Sequence, residues 1–215
     1  MPSCCHGDEY GDVFTSGEAR RTVARFRRRG LKGSARRLAS AVTPLLAPGA
    51  TVIEAGGGAG EIQVTLLESE PTAHVINVEL SPSWEEPALN LLKERGLIDR
   101  VERMLGNFVD EAAGLPPAQL VILHRVVCCY PDWEAMIETA AVKASRAIAL
   151  TVPIDVWWNR LAVLLGNLFM RLRGVEFRAY LHSPDAMAAR LETRGWVISH
   201  DDSGLIWRTF VAEHA

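Results

Sequence analysis

The chain has 215 residues, 48% of them hydrophobic, which is enough apolar material for one substantial core and leaves little room for a second; one domain over 1–215 is expected. A formal net charge of −3 at pH 7 excludes a global electrostatic attraction to nucleic acid or to a membrane. The four cysteines form two adjacent pairs, Cys4-Cys5 and Cys128-Cys129, which excludes both zinc-clip spacing and a secreted disulfide framework.

Residues 1–10 are polar and lack the apolar stretch of a secretory signal, so a cytoplasmic location with reduced thiols is expected. Free cysteines are the simple reading; a site built from both pairs with His6 is the other. A helical region follows over 16–46, closed by Pro48-Gly49, so that 1–46 forms an N-terminal helical cap. It carries a basic run from Arg20 to Arg37. That run is either a solvated helical face or a surface for RNA, phosphate or an acidic partner.

Residues 50–54 are short, β-rich and run straight into glycines, the pattern of a buried strand. A helix is expected over 60–69, then a strand over 74–78 that ends at Glu79. Ser81-Pro82 supplies an N-cap with proline at the first helical position, and Gly96 supplies the stop. Pro87 belongs to an irregular first turn, because an interior proline costs about 3 kcal/mol. Strands are expected over 101–105, 120–124 and 147–152, with a helix over 133–143 before the last of them. Strands alternating with helices give an α/β fold with a doubly wound, mostly parallel sheet.

The last third differs. Trp157 and Trp158 precede an apolar stretch, 161–172, which Gly166, Asn167 and Arg171 interrupt; it is too short to span a bilayer and reads as a core-packed or lid helix. Ser183-Pro184 begins a helix that Gly195 stops. Strands over 196–200 and 205–213 then flank a turn at 201–204, a terminal antiparallel hairpin.

Chemistry concentrates where the first strand opens into Gly56, Gly57, Gly58 and Gly60. Glycine is needed where backbone turns tightly and lies against a ligand. No Gly-Lys-Ser/Thr follows, which excludes a phosphate loop. G-x-G-x-x-G fails because position 61 is Glu, and Glu61 puts negative charge where a pyrophosphate would sit. This disfavours NAD and suits a cofactor with a cationic sulfonium. Glu79, about 20 residues on, stands where a carboxylate can accept from both ribose hydroxyls.

The segments EAGGGAGEIQ (54–63), NVELS (77–81) and LGNFVD (105–110) resemble successive motifs of the class I methyltransferases that use S-adenosylmethionine (SAM), over about residue 45 to the C-terminus. The resemblance implies a Rossmann-like seven-stranded sheet, six strands parallel and one antiparallel, with SAM as cofactor and S-adenosylhomocysteine (SAH) as product. By the same resemblance Gly56, Gly58 and Gly60 border the methionine moiety with Gly57 between them. Glu54 supports the loop and the amino group, and Glu79 with Leu80 holds the ribose. Asn107 and Phe108 stand beside adenine, at a place where the family usually has an acid.

After the fourth strand, His124 is the best-placed titratable group: a cofactor-pocket residue first and a base second, with Tyr130 to orient it. In-line alignment supplies much of the acceleration without a strong base. No NPPY-type tetrapeptide follows, which argues against amino-methylation of nucleic-acid bases or protein amides. No carboxylate and histidine cluster suggests a metal. HRVVCCYPD (124–132) and RAYLHSPD (178–185) are similar to small-molecule methyltransferases, including the magnesium-protoporphyrin O-methyltransferases. That likeness makes 153–180 an inserted substrate-covering segment, with Trp157, Trp158 and His182 facing a small, hydrophobic or aromatic acceptor of O- or N-methylation, and 10–30 a lid. Core packing explains the same apolar residues. Two rivals stay open: a SAM-binding protein that does not methylate, because Asn107, Gln119 and His124 depart from the pattern, and an RNA or partner adaptor using the basic helix. Nucleic acid is not the expected partner, no transmembrane segment is expected, and oligomeric state is left open.

Overall fold

The computed structural model describes residues 13–214. Its seven strands are β1 (Thr51–Ala55), β2 (His74–Glu79), β3 (Val101–Leu105), β4 (Ala118–His124), β5 (Ala144–Pro153), β6 (Trp196–Ser203) and β7 (Trp207–His214). They form one sheet in the order β3-β2-β1-β4-β5-β7-β6. The pairs from β3 to β5 are parallel, and β7 runs antiparallel between β5 and β6. The expected doubly wound sheet with six parallel strands and one antiparallel is the observed one.

Eight α-helices are found among the described residues: α1 (Ser16–Arg29), α2 (Gly33–Val42), α3 (Glu61–Ser69), α4 (Glu85–Glu94), α5 (Phe108–Glu111), α6 (Trp133–Lys143), α7 (Trp157–Leu172) and α8 (Pro184–Glu192), with short 3-10 turns making up the remaining helical residues.

Each central strand is apolar on both faces. Ile53, Val121, Leu123, Ile148 and Leu150 join α5, α6 and α8 in one core. Val52, Leu120, Ile122, Ala147 and Ala149 join α1 to α4 in the other. Burial on both sides is why these strands read as near-continuous hydrophobic runs. From β1 the chain winds outward to β2 and β3, then returns to lay β4 and β5 on the other side. The carboxyl ends of β1 and β4 therefore flank the switch point, where doubly wound sheets leave a crevice.

Several expectations change. The helical region over 16–46 is two helices, because Gly30 (φ 62°, ψ −163°) leaves helical space and its N–H closes α1 onto the Phe26 carbonyl. Ser81 makes no side-chain cap; its hydroxyl is buried, and a 3-10 turn, Pro82–Trp84, precedes α4. Pro87 is the third residue of α4, where a backbone N–H would have no intrahelical acceptor. The final turn lies at 204–206 instead of 201–204, because Asp201 stays in β6 and binds Arg208 of β7 through both carboxylate oxygens at 2.9 and 2.8 Å.

The apolar stretch after Trp158 touches the core only through half-buried Met170, and only Asn159 of α7 is buried. In the basic run, Arg25 pairs with Glu61, Arg27 with Glu94 and Arg37 with Asp202, which suits a solvated face. Cys128 and Cys129 are thiols whose sulfurs lie 3.9 Å apart. Cys4, Cys5, His6 and Tyr10 lie outside the described residues. Among the described residues no helix is long and apolar enough to cross a membrane.

Candidate functional site

The loop after β1 is held by the end of β2. The Gly56 N–H donates to the Val78 carbonyl at 2.7 Å, the Gly57 N–H to Asn77 Oδ1 at 3.0 Å and the Gly58 N–H to Glu79 Oε2 at 2.9 Å. Gly56, Gly58 and Gly60 take left-handed φ values of 64°, 54° and 80°. Gly57 has a different reason to be glycine. A Cβ there would lie 2.1 Å from Asn77 Oδ1 and 2.3 Å from Gln63 Nε2. The space behind this glycine belongs to buried protein amides and not to a ligand.

Beneath the loop sits a polar cluster. Gln63 Nε2 donates to Asn77 Oδ1 at 2.9 Å, and the Arg103 side chain, 4% exposed, pairs with Glu85 at 2.7 Å and donates to the Gly58 carbonyl at 3.2 Å. Burial pushes the Glu54 carboxyl up to about 7, against the pull of Gln63 and the Arg103 charge. Glu79 is also raised by burial, opposed by the N–H donors of Ser81 and Gly58. Asn77, Gln63 and Arg103 were not singled out from sequence. Their one signal is polarity inside otherwise apolar elements.

Above the loop, at the carboxyl edge, is a cleft of about 330 Å³. Gly56, Gly57, Gly58, Glu79, Leu80, Asn107, Phe108 and His124 all line it; Glu54 and Gly60 do not. Sequence reading named none of Phe14, Trp84, Arg25, Arg125, Cys129 and Met136 as lining it; Phe14 and Arg25 belong to the 10–30 segment expected as a lid, Arg125 and Cys129 to the segment after β4. Phe14 packs edge-on against Phe177 at 5.9 Å and lies 6.3 Å from Trp84, so residues just before α1 wall the cleft. A larger groove, about 720 Å³, runs between α1, α2 and α3 but has no residue from the strand ends.

His124 lies at the end of β4 with Nδ1 buried and without a partner. Burial, then the Arg125 charge, lowers its pKa to about 3, so the imidazole is neutral and weakly basic at pH 7. This weighs against proton removal by His124. Tyr130 is buried and does not line the cleft; its hydroxyl accepts from Asn107 Nδ2 at 3.4 Å. Asn107 Oδ1 accepts from the Val109 N–H at 3.0 Å and caps α5, so this carbonyl already has a backbone donor. Arg125, at φ 58°, is the one non-glycine with positive φ among the described residues; its side chain donates to Ser34 Oγ at 3.1 Å and covers the Trp207 ring at 4.4 Å.

The three residues expected to face an acceptor are not brought to the cleft. His182 Nε2 lies 2.8 Å from the Tyr130 carbonyl and its ring stacks on Tyr180. Trp158 Nε1 donates to the Leu205 carbonyl at 3.0 Å, and Trp157 is 71% exposed. Among the described residues no group of three or more His, Cys, Asp or Glu is arranged to hold a metal.

The structure is similar to that of the magnesium protoporphyrin IX methyltransferase (ChlM) of Synechocystis PCC 6803, solved with bound SAH. The TM-score is 0.66 over 84% of this chain and 83% of that one, at 22% identity. The chain has the class I methyltransferase fold. An O-methyltransferase family protein from Burkholderia thailandensis shares it with a TM-score of 0.69 at 17% identity, over 84% of this chain and 55% of that one. So does an O-methyltransferase family 2 protein from Planctomyces limnophilus DSM 3776, in complex with apigenin, with a TM-score of 0.65 at 16% identity, over 93% of this chain and 62% of that one. No protein-family model and no curated protein matches the sequence.

Proposed function

We propose that the chain is a SAM-dependent methyltransferase acting on a small hydrophobic or aromatic acceptor at oxygen or nitrogen. The observation that carries this reading is the Glu79 carboxylate, which lines the switch-point cleft while binding the Gly58 N–H. Each carboxylate oxygen keeps a further lone pair for a ribose hydroxyl. The cleft fits such a cofactor in its other parts: Trp84 and Phe108 offer apolar walls to an adenine, and Glu61 and Glu79 supply negative charge for a sulfonium. Arg25, held by Glu61 only at 3.4 Å and half exposed, is a cation available to the methionine carboxylate.

SAM supplies the methyl group on its cationic sulfur. The chain's own contribution is position: β1 and β4 present Gly56 and His124 on either side of the transfer point, and alignment of the acceptor with the sulfonium supplies the acceleration. His124, uncharged, serves there as a neutral hydrogen-bonding group. The relatives in fold that carry SAH or apigenin support this reading.

Thermal unfolding of the purified chain with SAM, SAH, NAD or ATP tests it. A rise in midpoint with SAM and SAH alone supports the proposal. No shift with either overturns it.

A further inference from the structure

Helix α7 leaves most of its apolar residues outside. Its inward side carries two asparagines beside half-buried Val163, Gly166 and Met170: Asn159 Nδ2 donates to the carbonyls of Ile154 and Ile206 at 2.8 and 3.1 Å, and Asn167 exchanges two 2.8 Å hydrogen bonds with the Ala179 backbone. Its outward side carries Trp157, Leu161, Leu164, Leu165, Leu168 and Leu172, all exposed, Leu172 by 78%. The spacing of three and four residues puts these six on one stripe. Exposed Leu205 and Ile206, tied to the helix through Trp158, extend the patch. A contiguous apolar surface of this kind marks a place that something covers.

Charge selects the occupant. No acidic residue occurs between Trp157 and Val175, while Arg171 and Arg173 stand exposed at the C-terminal end and the Trp157–Trp158 pair stands at the other. Arg160 is already neutralised by Asp155 at 2.7 and 2.9 Å. A second copy pairing α7 with α7 would set these arginines against a helix that has no carboxylate to offer. Anionic headgroups complement them, and indoles favour the boundary between acyl chains and headgroups. At 16 residues, about 24 Å long, the helix is too short to cross the hydrocarbon and the right shape to lie along its surface.

We propose that α7 is an in-plane anchor to an anionic lipid surface. The surface is separate from the cleft, and its test does not involve SAM.

The test is flotation of the full chain with phosphatidylcholine vesicles and with vesicles containing phosphatidylglycerol at about 7:3. Binding to the anionic vesicles is expected. Leu164→Glu with Leu168→Glu should lower the bound fraction by roughly tenfold or more. Arg171→Gln with Arg173→Gln should lower binding to the anionic vesicles by about fivefold per arginine. Both pairs alter exposed side chains, so unchanged thermal midpoints verify the fold. Absence of flotation with either vesicle overturns the proposal. So does a doubled mass in analytical ultracentrifugation that the leucine variants abolish, which would assign the face to a second copy.

Discussion

The Gly58 N–H donates to Glu79 Oε2 at 2.9 Å, while Glu79 Oε1 accepts from the Ser81 N–H at the same distance. One carboxylate thus joins the glycine loop after β1 to the end of β2. Loop shape and acid position are a single feature. Glu79→Ala is predicted to weaken SAM binding by roughly 1–3 kcal/mol through lost charge-assisted hydrogen bonds. Gly58→Arg, placing a long side chain at φ 54° on the cleft wall, should abolish it. Calorimetric affinities that stay at the wild-type value in both variants would remove this site assignment.

Gly57→Ala acts from behind the loop. Its Cβ would overlap Asn77 Oδ1 at 2.1 Å, and both that atom and Gln63 are buried. Denaturant unfolding should show a loss of about 1–3 kcal/mol. A midpoint equal to wild type would mean that the amide pair can move aside.

Glu54 carries a pH signature. Its folded pKa, about 7, lies above the unfolded value of 4.5, so its stability contribution is full below 4.5 and is lost as pH rises through 7. Glu54→Gln cannot ionise. Relative to wild type, this variant should gain stability between pH 4.5 and 7, by at most about 3 kcal/mol, and hold that gain above. Thermal midpoints at pH 5 and pH 8 check the sign.

His124 works in the opposite direction. A folded pKa of about 3 below the ordinary 6.5 means that stability is present above 6.5 and is lost as pH falls toward 3. His124→Gln should flatten this acid-side loss. Acid titrations followed by circular dichroism would show identical slopes for both proteins if burial does not depress the imidazole.

The strands were legible because burial on both faces leaves runs such as Leu120, Val121, Ile122 and Leu123 with no polar interruption. Helix α6 was legible to the residue: Asp132 caps it through the Ala135 N–H, and β5 follows at once. Part of the site was legible for a related reason. Glycines and an acid at strand ends mark the carboxyl edge wherever the sheet is parallel. The 10–30 segment was expected as a lid, but Phe14, Arg25 and Trp84 were not legible as individual wall residues, because they converge only when α1 and the turn before α4 fold over that edge.

Sequence by itself determined the order of strands and helices, the glycine turn and the acid that answers it, since these follow from local backbone freedom and from period. Tertiary structure alone decided what lies behind Gly57, why His124 stays neutral and which way α7 faces. A leucine stripe at helical spacing looks the same whether it points inward or outward. Here the sheet face is already covered by α5, α6 and α8, and the asparagines of α7 find backbone partners underneath, so its leucines are left at the surface.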